Sequence, residues 1–183
     1  MKSIAFSGSS STGKTTTMTL VEQKVIPGAM GFPSPARMVK HSGLNINADG
    51  DDATQLAIMN AHLQNFNKGS AHDGYVMFDR CALDGFVYTR WLFRDHKISD
   101  DTYDKCEAIY NQLISKYDVV FRMIPFGAII PDGIRPEDEE FRMEIESMYT
   151  DTIRDIKTTK VYNVEGSVQE RLELCANIIN NKI

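Results

Sequence analysis

Eight residues near the start of the chain carry the clearest chemistry. Gly8-Ser9-Ser10-Ser11-Thr12-Gly13-Lys14-Thr15 fits G-x-x-x-x-G-K-[ST] at each fixed position. It follows an apolar run at residues 4–7 and leads into a segment, 16–24, with helical character, which is the context such a motif requires. The two glycines let the backbone curl so that successive N–H groups face a phosphate, and the positive end of the following helix adds to that field. Gly8, Ser10, Ser11, Thr12, Gly13, Lys14, Thr15 and Thr16 are therefore the expected nucleotide contacts. Lys14, taken as a solvent-facing loop charge, is expected to reach the β- and γ-phosphates, and the Thr15 hydroxyl to ligate Mg²⁺. ATP and Mg²⁺ are the cofactors this loop predicts.

A phosphate loop of this kind needs a carboxylate at the end of a neighbouring strand. Tyr75-Val76-Met77-Phe78-Asp79 is an apolar run that delivers Asp79 to such an end, and ligands of open parallel sheets bind at the carboxyl edge. Asp79 is expected to hold Mg²⁺ through water or to take the proton of an acceptor hydroxyl. Arg80 follows and is expected to clamp a phosphate. Arg135, in Asp132-Gly133-Ile134-Arg135, lies in a Pro/Gly-rich stretch from 125 to 136, where a moving cation can offset charge in a transition state. Arg122 and Arg142 are further candidate cations. Arg37 belongs on the acceptor side, and Tyr88 and Trp91 have a spacing from which a ring can stack on a base. His41, His62, His72 and His96 show no metal or catalytic spacing.

The elements that must position these residues are legible as four apolar strands, at 4–7, 75–78, 118–123 and 161–164. A fifth, near Val25-Ile26, is cut short by Pro27 and Gly28. Helical stretches at 51–66, 84–94 and 101–116 separate the strands. An amphipathic helix at 137–157 and a last one at 168–179 follow. Alternating strands and helices predict a parallel sheet covered on both faces, an α/β fold. The 183 residues, 42% hydrophobic, suit one domain spanning 1–183, with a lid at about 125–157.

A net charge of −5 with no run of Lys and Arg argues against a chain whose main task is gripping nucleic acid. The first residues are too short an apolar stretch for a signal-peptide core, and no segment reaches bilayer length. Cys81, Cys106 and Cys175 lie far apart and form no CxxC pair. Free thiols in a reducing cytoplasm are the expectation.

Together the loop Gly8 to Thr15, Phe78-Asp79-Arg80 with Leu83-Asp84 and Tyr88, and Tyr117-Asp118-Val119-Val120 leading to Pro131-Asp132-Gly133-Ile134-Arg135 carry a resemblance over nearly the whole chain. The sequence resembles the P-loop nucleoside-kinase-like proteins that include nicotinamide riboside kinase domains. It is similar more loosely to deoxynucleoside and thymidylate kinases. Deoxynucleoside kinases usually have Glu-Arg-Ser where this chain has Asp79-Arg80-Cys81, and the usual Glu signature after the second strand is missing. The resemblance implies a three-layer P-loop fold with about five parallel strands, an acceptor pocket beside Asp79 and Arg80, and a lid near Arg135.

The expected function is ATP-dependent phosphotransfer to a small nucleoside or nucleoside monophosphate. Three alternatives stay open on sequence alone: a nicotinamide riboside-type kinase, a kinase of a modified base in DNA, and a non-kinase ATPase switch. A homodimer is compatible with this build.

Overall fold

The computed structural model describes residues 1–126 and 138–183. Five strands, β1 (Lys2–Ser7), β2 (Met30–Phe32), β3 (Tyr75–Asp79), β4 (Val119–Met123) and β5 (Lys160–Val164), form one sheet in the order β2-β3-β1-β4-β5. Every pairing is parallel. Seven α-helices connect them: α1 (Lys14–Lys24), α2 (Pro35–His41), α3 (Asp52–Ser70), α4 (Ala82–Arg94), α5 (Asp100–Ile114), α6 (Glu139–Arg154) and α7 (Val168–Lys182).

Side chains alternate across a strand, so a sheet covered on both faces needs apolar residues at consecutive positions. Ala5, Val76, Phe78 and Val120 point into a core with residues of α3, α4, α5 and α6. Their immediate neighbours Ile4, Phe6, Met77, Val119 and Phe121 enter a second core with α1 and α7. That division makes the three layers.

Helix starts follow their capping residues. Asp51 accepts from the Thr54 amide at 2.9 Å, Asp138 from Phe141 at 3.1 Å, and Ser167 forms a reciprocal capping box with Glu170. Helix α4 begins before the Asp84 expected to open it. Cys81 is its N-cap, and Asp84, at the third helical position, reaches back to the Cys81 amide.

The second strand is at Met30–Phe32, not at Val25-Ile26. Val25 caps the end of α1, its amide bonding to the Val21 carbonyl, and Gly28 turns the chain at φ 84°. The β-branched pair ends a helix, and Ile26 is buried in the α1/α7 core. Ser34 is the N-cap of α2, and Pro35 occupies its first turn.

Of the segment expected to form a lid, residues 127–137 lie outside the described residues, Asp132, Gly133, Ile134 and Arg135 among them. The remainder is α6, packed on α4. Phe141 meets Trp91 edge-on at 4.7 Å, and Tyr149 is fully buried. No helix among the described residues is long and apolar enough to cross a membrane.

Candidate active site

The phosphate loop lies between β1 and α1, at the centre of the sheet's carboxyl edge. Its two glycines meet real constraints. Gly8 has φ 137°, and a Cβ there would stand 2.6 Å from the Met123 carbonyl oxygen. Gly13 has φ 79° and hands the chain directly into α1. Lys14 is not the solvent-facing charge expected: it is 4% exposed. Its ammonium donates to the Ser9 carbonyl and, at 2.9 Å, to the Thr12 hydroxyl. The Thr12 hydroxyl in turn donates to Ser9 O at 3.1 Å, so the loop holds its lysine across its own mouth.

Register brings the carboxylate to the loop. Phe6 of β1 pairs with Asp79 of β3, and the Thr15 hydroxyl donates to Asp79 Oδ2 at 2.7 Å. A threonine hydroxyl and a carboxylate meeting at one point are hard oxygen donors of the kind Mg²⁺ takes, with its remaining positions left to water and phosphate. The residues therefore fit the metal. Among the described residues no cluster of three or more His, Cys, Asp or Glu offers an all-protein metal cage.

Arg80 sits in the left-handed region at φ 74°. Its amide donates to Phe6 O at 2.9 Å, and its guanidinium donates to Gly8 O at 3.0 Å and Asp84 Oδ1 at 2.9 Å. Burial opposes its charge, but Tyr88, Asp84 and other neighbours push its pKa above the usual arginine value. The Tyr88 ring lies 5.8 Å from the guanidinium, and burial raises that phenol's pKa.

Asp84 ties these parts together. Besides Arg80 it accepts from the Gly8 amide at 3.1 Å, the Cys81 amide at 2.9 Å and the Tyr149 hydroxyl at 2.7 Å. Burial pushes its carboxyl upward, but Arg80, Lys14 and these donors carry it below the usual carboxylate value. Glu146 of α6 is a second carboxylate at the loop. It accepts from the Ser9 amide at 3.3 Å and from Arg122 at 3.1 Å.

A cleft opens beside Lys14, Asp79 and Arg80. It is lined by Ser10, Ser34, Arg37, Asn47, Gln55, Ile58, His62 and Tyr88. The Gln55 amide group donates to Gly85 O at 2.7 Å and Thr89 Oγ1 at 2.8 Å. His62, given no role by sequence spacing, is on the cleft floor, and burial lowers its pKa to about 4. Gly85 leaves room for this packing, since a Cβ there would come within 2.3 Å of Met59 Sδ and 3.2 Å of the His62 ring.

The structure thus gathers Lys14, Asp79, Arg80, Arg37 and Tyr88 around one cleft, with Thr15 joined to it through Asp79. Trp91 does not join them: it is buried, and its indole donates to Glu144 at 2.6 Å. Arg122 pairs with Glu146 and Arg142 with Glu139, both as buried side chains anchored on α6. Asp84, quoted in the sequence only within the resemblance, and Glu146 received no role there, because the Gly8 and Ser9 amides they bind lie far away in the chain. For Asp84 the capping-box spacing from Cys81 was an available signal.

The deoxyadenosine kinase from M. mycoides, solved with dCMP and dCDP, shares the fold, with a TM-score of 0.73 at 17% identity over 98% of this chain and 99% of that one. A NadR protein in complex with NR gives a TM-score of 0.77 at 18% identity over 99% of this chain. This chain spans 51% of that NadR chain. At such identities the likeness establishes the fold. No curated protein matches the sequence. A family profile described as an AAA domain matches residues 3–171, and the chain belongs to that family of P-loop proteins.

Proposed function

We propose that this protein is an ATP·Mg²⁺-dependent phosphotransferase whose acceptor is a small nucleoside or nucleoside monophosphate. The observation that carries the reading is the contact of Thr15 with Asp79 at the mouth of a cleft that also holds Lys14 and Arg80. A nucleotide site and an acceptor site then meet at one carboxylate.

In this reading the loop amides receive the β- and γ-phosphates, and the Lys14 ammonium leaves Ser9 O and Thr12 for phosphate oxygens. Thr15 and Asp79 would hold Mg²⁺, which would supply charge neutralisation on the triphosphate. Asp79 can also accept the proton of the attacking hydroxyl. Arg80, held by Gly8 O and Asp84, keeps its charge beside the reacting groups with little reorganisation. Tyr88 and Gln55 face the part of the cleft where a ring and sugar fit.

The likeness to NadR with bound NR supports a second acceptor, nicotinamide riboside. A panel of nucleosides, nucleoside monophosphates and nicotinamide riboside, each incubated with ATP and Mg²⁺ and read by product mass, decides between them. A mass gain of one phosphoryl group on a nucleoside or its monophosphate is the expected result. ATP turnover that no acceptor accelerates would replace phosphotransfer with a nucleotide-driven switch.

A further inference from the structure

Arg171 lies on α7, remote in sequence from the loop, and is 5% exposed. Its guanidinium donates to three backbone carbonyls on three separate segments. Nη1 reaches Thr12 O at 2.6 Å, Nη2 reaches Ile124 O at 3.0 Å, and Nε reaches Gly166 O at 2.8 Å. Among the described residues it makes no ion pair. Glu165 lies near enough to favour its charge without pairing with it, and a buried cation whose hydrogen bonds all go to neutral carbonyls gains from a further negative group nearby. The phosphates expected in the loop would supply one.

The contact with Thr12 also fixes a direction. A trans peptide is planar, with its C=O and N–H antiparallel. Drawing the Thr12 carbonyl toward α7 turns the Gly13 N–H away from α7. That orientation leaves this amide available as a phosphate donor. Gly13, at φ 79°, has the freedom to swing without such a restraint. The base of Arg171 is itself fixed, because Ser167 and Glu170 cap the start of α7 one turn earlier.

We propose that Arg171 is a positioning residue of the nucleotide site: it sets the Thr12–Gly13 peptide for phosphate binding and ties the loop to the exits of β4 and β5. This inference rests on the nucleotide-binding reading above.

The test is ATP·Mg²⁺ binding by calorimetry to wild type, Arg171→Lys and Arg171→Ala, with folding checked by circular dichroism. A lysine cannot span three carbonyls. Folded Arg171→Lys protein should bind ATP on the order of tenfold to a hundredfold more weakly, the scale of misplacing one preorganised donor. Added methylguanidinium should restore binding to Arg171→Ala, a rescue that a merely loosened fold would not show. Folded variants that bind within twofold of wild type overturn the proposal. If neither variant folds, the Gly13 amide signal of ¹⁵N-labelled wild type decides: it must move on ATP addition more than those of α7, and an unmoved signal overturns the idea. Wild-type protein that binds no nucleotide removes the phosphotransferase reading as well, whereas tight wild-type binding with unaffected variants removes this inference alone.

Discussion

With its ammonium on the Ser9 carbonyl and the Thr12 hydroxyl, Lys14 already has partners that a phosphate must displace. The exchange replaces the neutral acceptors of this ammonium by anionic ones, which adds direct charge attraction in a buried site. Lys14→Ala should therefore cost ~10²-fold or more in phosphotransfer, the usual loss for one preorganised donor; turnover close to wild type would remove the loop from the mechanism. Asp79→Asn keeps an oxygen for the Thr15 hydroxyl but discards the charge. Turnover should fall far more than ATP affinity, measured by kinetics beside calorimetry, and equal losses would make Asp79 structural. His62 titrates in a calculable direction. Its pKa falls from 6.5 to about 4 because burial disfavours the imidazolium. Between those values the unfolded chain binds a proton that the folded chain refuses, so stability falls as pH drops from 6.5 toward 4. The loss approaches ~3 kcal/mol at the lower end. Thermal melts of wild type and His62→Gln across that window should diverge, with the variant showing the flatter profile; parallel profiles would mean that His62 takes up its proton without cost.

Helix α6 reaches the loop through two side chains, Tyr149 on Asp84 and Glu146 on the Ser9 amide. Because Asp84 also holds the Gly8 amide and Arg80, removing the Tyr149 hydroxyl loosens a shared hub. Tyr149→Phe should lower stability by about 1.5–3 kcal/mol, the range for a hydrogen bond to a charged group. A melt would show this as a drop of roughly 3–12 °C. An unchanged melting temperature would show that Asp84 is satisfied without α6. The helix itself was readable from its apolar side, as were β1, β3, β4 and β5 from their apolar runs. What α6 touches was not, since Glu146 and Ser9 meet only after the sheet has ordered the chain. The second strand failed for a local reason. Val25 and Ile26 carry the strand preference of β-branched residues, yet Met30-Gly31-Phe32 wins the edge by pairing with β3 and stacking Phe32 on Phe78 at 5.4 Å. Tertiary pairing outweighed intrinsic preference there. No helix was read for α2, which is short and starts at Pro35.

Strand order gives the whole molecule its logic. With β1 between β3 and β4, the phosphate loop opens at the middle of the sheet, flanked by Asp79 on one side and Arg122 on the other. Helices α1 and α7 cover the face behind the loop, α3 to α6 cover the opposite face, and α2, α3 and α4 line the cleft. Phosphates bound at that edge would join the loop to the end of β3 and the start of α4, which now hold the loop through Thr15–Asp79, Arg80–Gly8 and Asp84–Gly8. Binding to the folded state alone stabilises it by about 2.7 kcal/mol when ligand is at 100 times its dissociation constant. For a chain of this size that corresponds to a rise in melting temperature of roughly 5–10 °C. The rise should be largest with ATP and Mg²⁺ together. With ATP and a chelator it should shrink, because the Asp79 charge then repels a triphosphate whose own charge is not offset. A nucleoside triphosphate that leaves the melt unmoved at millimolar concentration, with or without Mg²⁺, would mean that the central edge of the sheet does not hold nucleotide.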